Sequence, residues 1–143
     1  IFCADWKNNP PAPSFKRNLI IAVANLAKKL HENGLCHRDF YLCHLCLDNV
    51  LLKQNIIKLY LIDLHRMKPA NAVEKRKDIA ALYFSSLDIG LSKRDLYRFK
   101  FYYLNQPKIF WQHIEQRALK LYAKFHSDKF QKRLVAEKAA LNK

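Results

Sequence analysis

From Phe15 to about Glu32 the apolar residues Leu19, Val23, Leu26, Ala27 and Leu30 return every three or four positions, which is the spacing of one face of an α-helix. Ser14 is placed to cap its start, and Gly34 to stop it. Lys16, Arg17, Lys28 and Lys29 fall on its wet side. This reads as a largely buried helix. Before it, Pro10, Pro11 and Pro13 keep residues 1–13 irregular.

Beyond Gly34 the chain is ordered just as sharply. A polar and aromatic loop runs from His37 to His44. Two short strands are expected at about Asn49 to Lys53 and Ile56 to Ile62, turning at Gln54-Asn55. After Pro69 the pattern is helical: Arg76 to Ser86, then Ser92 to Tyr103, then a long segment from Pro107 to about His126, with a basic helix continuing from Asp128. Ser92-Lys93-Arg94-Asp95 has the form of a capping box. The expected fold is mainly α with one small β-hairpin, and 143 residues fit one domain around one core.

Twenty-six Lys and Arg against twelve Asp and Glu give a formal net charge of +14. Such an excess favours anionic partners: phosphates, an acidic membrane surface or nucleic acid. The longest apolar run, Leu19 to Ala24, is six residues, far short of the roughly 20 that span a bilayer. The opening Ile1-Phe2-Cys3, without a methionine, reads as the interior of a longer protein. Cys3, Cys36, Cys43 and Cys46 form no regular disulfide framework and are expected as reduced thiols in a cytosolic protein. Cys36, His37, Cys43, His44 and Cys46 are metal-binding residue types, but their crowding into one segment does not match zinc spacing.

Chemistry concentrates in His37-Arg38-Asp39, after the buried helix, and in Leu61-Ile62-Asp63, at the end of the returning strand. A hairpin that leaves the loop and returns brings Asp63 back beside Asp39. Phosphoryl transfer needs that pairing: one carboxylate accepts the proton of the attacking hydroxyl, and another holds the Mg²⁺ that neutralises the phosphates. Protein-kinase loops read H-R-D-x-x-x-x-N, with a later Asp-Phe-Gly. Here the fifth residue after Asp39 is His44, and the later segment is Asp63-Leu64-His65.

Taken together, His37-Arg38-Asp39-Phe40-Tyr41-Leu42-Cys43-His44, Leu61-Ile62-Asp63-Leu64-His65-Arg66 and Lys77-Asp78-Ile79-Ala80-Ala81-Leu82-Tyr83-Phe84-Ser85-Ser86 resemble the lipopolysaccharide core heptose kinase family. The opening Cys3-Ala4-Asp5-Trp6 and the segment Asp88 to Asp95 resemble it too, so the likeness runs to about Pro107. The resemblance implies a protein-kinase-like fold of which this chain is the C-terminal lobe, the N-terminal lobe missing. Residues 1–13 would be the hinge side, 37–66 the catalytic loop, hairpin and metal-binding segment, and 76–143 a helical part with a basic tail. It implies ATP with Mg²⁺, and phosphate transfer to a hydroxyl of the first heptose of the inner core. The acceptor would be the lipid A-core oligosaccharide, at the cytoplasmic face of the inner membrane of a Gram-negative bacterium.

On that resemblance Asp39 is the base, with Arg38 and His37 beside it in the catalytic loop, and Asp63 the metal ligand. His44 stands where a second metal ligand would be. A neutral imidazole is a poorer Mg²⁺ partner than a carbonyl oxygen, and the alternative is that it orients Asp39 or a phosphate. Arg38 and Arg66 would pair with phosphates or brace the loop. His37 has a plainer reading as a packed, backbone-bonding histidine. Asp78 sits in the first turn of its helix, where the dipole favours any acid. The competing reading is that it reaches back to fix the loop. Asp48 and Asn49 read as turn or strand-start residues. The basic, amphipathic stretch from Lys120 to Lys138 suits an anionic membrane surface.

The only glycines, Gly34 and Gly90, lie in no phosphate-covering loop, and a kinase needs such a loop and a lysine paired with a glutamate. These residues alone are therefore expected to be inactive. Competing readings are a kinase of the same superfamily acting on Kdo, a degenerate kinase-like scaffold, and a non-catalytic basic module for anionic surfaces or nucleic acid. Nucleic acid is disfavoured because no helix-turn-helix or aromatic sheet platform is visible.

Overall fold

The structure is a computed structural model that describes residues 2–141. Ile1, Asn142 and Lys143, the outermost residues of the expected 1–13 and 76–143 segments, lie outside the described residues. The architecture is mostly helical with two small antiparallel sheets. Helix α1 spans Pro13–Glu32. It begins two residues before the expected start, with Ala12 at the cap and no side-chain capping bond. Proline at the first helical position is not a breaker, because its missing N–H is one that helix starts leave free anyway. Gly34, at φ 71°, supplies the left-handed exit.

Strand β1 (Leu35–Cys36) pairs with β4 (Lys68–Pro69), and β2 (Leu45–Leu47) with β3 (Leu59–Leu61). The hairpin therefore differs from its expected register. Asn49–Lys53 is not a strand but a short helix, α2. The reason is Asp48, whose carboxylate accepts from the backbone N–H groups of Val50 and Leu51 and starts a helical turn. The pairing strand lies four residues earlier. The turn falls where expected, with Asn55 at φ 60°.

Helices α3 (Ala72–Ser86), α4 (Lys93–Tyr102), α5 (Lys108–Phe125) and α6 (Asp128–Leu141) complete the chain. The capping box at α4 is present in both directions, between Ser92 and Asp95. Asp95 also binds Lys16 at 2.9 Å, so Lys16 is not on a wet face but ties α1 to α4. Burial pushes the Asp95 carboxyl up, but the Ser92 N–H and hydroxyl and the Lys16 ammonium outweigh it, leaving the pKa below the usual carboxylate value. Gly90, at φ 78°, sits where an added Cβ would lie 3.1 Å from the Lys7 backbone. Close approach of the N-terminal segment requires glycine there.

The larger core gathers Ala27, Phe40, Ile79, Leu82, Tyr103 and Phe110. A second, smaller cluster joins Cys3, Trp6, Leu19 and Ile89, so the irregular N-terminal residues are packed down onto α1. Between these layers and the β2–β3 hairpin lies an apolar cavity of about 550 Å³. Cys3 and Cys36 are buried, whereas Cys43 is exposed and Cys46 half-buried.

Candidate active site

The loop after β1 is held from beneath. Asp78, on α3, is 1 % exposed. One of its oxygens accepts from the His37 backbone N–H at 2.7 Å and from His31 Nε2 at 3.1 Å. The other accepts from the Arg38 backbone N–H at 2.8 Å. Of the two sequence readings of Asp78, the one in which it reaches back to the loop is what the structure shows. Arg38 stands at φ 74°, a backbone state that costs a non-glycine residue on the order of 1–3 kcal/mol and persists only where its surroundings impose it. Here Asp78 imposes it.

Behind Asp78 the contacts continue. His31 is fully buried, and its Nδ1 lies 2.6 Å from the Tyr103 hydroxyl. The ring thus bridges Asp78 and Tyr103, one nitrogen to each, and both of its nitrogens have a partner. Burial pushes the Tyr103 phenol far above its ordinary 10, and the Asp78 charge adds to it. Sequence spacing did not single out His31 or Tyr103 as functional residues. The signal was present for His31, which lies four residues after Ala27 on the buried stripe. Phe40, next to Asp39, is fully buried beside the His31 and His37 rings and anchors the loop on its other side.

The hairpin delivers the second acid. Its ladder runs one step beyond β3, with the Ile62 N–H donating to the His44 carbonyl at 3.0 Å. Asp63 then turns at φ 61°, beside His44. His44 Nε2 lies 3.5 Å from one Asp63 oxygen, and His65 Nδ1 2.5 Å from the other. His44 Nδ1 donates to the Asp39 main-chain carbonyl at 2.6 Å. Arg66, one turn after Asp63, reaches across so that one guanidinium nitrogen contacts both Asp39 oxygens at 2.7 and 2.8 Å. Asp39, Asp63, His44 and Arg66 thus share one mouth.

His37 and Arg38, the other loop residues of the expected set, face opposite ways. His37 is 0 % exposed, and its Nε2 donates to the Ile62 carbonyl at 2.8 Å. This is the plainer of its two readings, a packed, backbone-bonding histidine that joins the loop to the hairpin, and not a group facing the mouth. The Arg38 guanidinium is exposed, and the loop is tied through its backbone instead. Among the described residues no cluster of three or more His, Cys, Asp and Glu has metal-holding geometry.

A model of the lipopolysaccharide kinase (Kdo/WaaP) family matches residues 1–103, and the chain belongs to that family. Within it, the chain is 44% identical over 111 residues to the lipopolysaccharide core heptose(I) kinase WaaP of Pseudomonas aeruginosa, covering 75% of this chain and 41% of that protein. It is 40% identical over 124 residues to the enzyme of the same name from Escherichia coli K12, covering 84% and 47%. The solved structure of WaaP in complex with acyl carrier protein superposes with a TM-score of 0.74 at 38% identity, over 85% of this chain and 55% of that one. The chain spans a little under half the length of these curated relatives.

Proposed function

We propose that the protein containing this chain is an ATP-dependent kinase that phosphorylates a heptose hydroxyl of the lipopolysaccharide inner core, and that residues 37–66 carry the acceptor and metal side of its site. The observation that carries the reading is the shared mouth in which Asp39 and Asp63 lie on either side of His44. Asp39 orients the acceptor hydroxyl and takes its proton, with Arg66 holding the carboxylate in place.

The donor set fits a cation. A carbonyl oxygen only accepts, so His44 Nδ1 carries the proton donated to Asp39 O, which leaves Nε2 as the nitrogen that faces the Asp63 carboxylate and would turn a lone pair to a metal bound there. Asp63 with His44 would hold Mg²⁺, which supplies neutralisation of the phosphate charge when bound. Two protein donors are enough where nucleotide phosphates and water fill the remaining positions.

The test is transfer of labelled phosphate from ATP to heptose-containing core acceptor by the full-length protein, compared with Asp39→Asn and Asp63→Asn. Each variant is expected to keep its fold and lose at least about a hundredfold in kcat, the scale of general acid–base contributions. Full activity in either variant removes its residue from the mechanism. A lipid-linked acceptor would bring the enzyme to the cytoplasmic face of the inner membrane as a peripheral protein. No helix among the described residues is long and apolar enough to cross a bilayer.

Acyl carrier protein enters as a second partner. The apolar cavity of about 550 Å³ beneath Trp6 and the hairpin favours it, being of ligand-pocket size and able to take the apolar chain such a protein carries. Recovery of acyl carrier protein with the purified enzyme, read by intact mass, tests this. Its loss when Leu82→Trp fills the cavity is the expected result.

A further inference from the structure

Helix α4 carries apolar side chains on the wrong side for a helix that only caps a core. Asp95, Leu96 and Phe99 point inward, and Tyr103 follows them into the core. The other side presents Arg94, Tyr97, Arg98, Phe101 and Tyr102, which recur at i, i+3, i+4, i+7 and i+8 and line one shallow groove. Phe101 is 81% exposed and Tyr97 67%, while the phenol of Tyr102 is also open to solvent. Three aromatic rings on one exposed stripe exceed what scattered surface residues explain.

The charge on this stripe has one sign. Lys93, Arg94 and Lys100 are exposed and Arg98 is half-buried. Asp95, the one acid of the helix, is buried and already engaged by Ser92, Lys16 and Arg98. Lys100 lies over the Tyr97 and Trp111 rings, at 5.8 and 5.3 Å, so it braces the aromatic row while keeping its charge. Rings flanked only by cations match the boundary of an anionic bilayer, where aromatic groups sit at headgroup depth and Lys and Arg pair with lipid phosphates.

We infer that the outward stripe of α4, centred on Tyr97 and Phe101 and flanked by Arg94 and Lys100, seats the protein on an anionic lipid surface. This assigns the membrane contact to α4 instead of to the basic C-terminal stretch. It deepens the proposed function, which needs a lipid-linked acceptor, but the contact itself requires no phosphotransfer. α6 is the poorer candidate: its charges are mixed, with Arg133 paired to Glu137 at 2.7 Å, and among its described residues it presents no exposed ring.

The test is sedimentation of the full-length protein with vesicles of zwitterionic lipid alone, or with about 30% anionic lipid added to create a clear surface potential. The protein is expected to pellet with the anionic vesicles only. Phe101→Ser and Arg94→Ala are each expected to lower the partition coefficient about fivefold, and Arg94→Glu further. Lys132→Ala with Lys138→Ala on α6 is expected to change it less than twofold. Both α4 positions are solvent-facing, so an unchanged thermal melt confirms folding. Wild-type binding that persists in Phe101→Ser/Arg94→Glu overturns the proposal, as does loss confined to the α6 variant. Unchanged vesicle binding with loss of acyl carrier protein capture would also overturn it and reassign the stripe to that partner. Kinase activity on a detergent-dispersed acceptor is read separately, so failure of this surface and failure of the proposed reaction are distinguishable.

Discussion

Replacing Asp78 by Asn changes almost no volume and removes one charge, so it isolates what the carboxylate does. Its two oxygens accept three N–H groups, two from the loop backbone and one from His31. An amide offers one oxygen. In its better orientation it keeps His37 N–H and His31 Nε2–H and turns its own NH₂ toward the Arg38 N–H, donor against donor. Hydrogen bonds to a charged group contribute about 1.5–3 kcal/mol each, and neutral ones about half that. Losing one and weakening two costs about 3–6 kcal/mol, against a total stability on the order of 5–15 kcal/mol. The left-handed Arg38 also loses what holds it. Urea unfolding of full-length wild type and Asp78→Asn should show that loss, and amide exchange at His37 and Arg38 should accelerate before global unfolding. A change below about 1 kcal/mol, with both amides still protected, would refute the idea that one acid sets the loop.

Three further outcomes rest on the same kind of contact. Tyr103→Phe leaves His31 Nδ1 without its buried partner and should cost about 1–3 kcal/mol. Because the Tyr103 phenol is pushed above its ordinary 10, its contribution is complete below that pH and declines as pH rises beyond it. Denaturation at pH 8 and 10.5 should therefore show wild type losing stability that the variant has already lost. Asp95→Asn should cost about 1 kcal/mol or more at neutral pH by undoing the capping box. Since the Asp95 pKa lies below its ordinary 3.8, the gap between wild type and variant should close as pH falls through that value and below. One nitrogen of Arg66 makes both contacts to Asp39, so a lysine ammonium can replace it: under the proposed reaction, Arg66→Ala should lower kcat at least about tenfold and Arg66→Lys restore much of it, in steady-state assays.

Features fixed by neighbours in sequence were legible. The α1 stripe, the Ser92–Asp95 box, the break at Pro107 and the restart at Asp128 are local events, and each lies within a residue or two of its expected place. The hairpin slipped because the Asn49–Lys53 run has strand-like residues, and only the side-chain cap from Asp48 turns it helical. Bringing Asp39 and Asp63 to one end of a hairpin survived that slip, since either register returns residue 63 to the loop. The contacts beneath the loop were only partly visible. His31 and Asp78 are 47 residues apart, and His31 and Tyr103 72, and no spacing rule links residues so distant. Their pairing is imposed by how α1, α3 and the end of α4 pack.

Because Asp78 grips main-chain amides, the path of the chain through Arg38 does not depend on the side chain displayed there. The outward-facing positions are therefore open to replacement as long as the amides beneath them stay fastened. Arg38 and Cys43, the exposed positions of the loop, are where substitution would alter what the loop presents while α3 stays untouched as the mould.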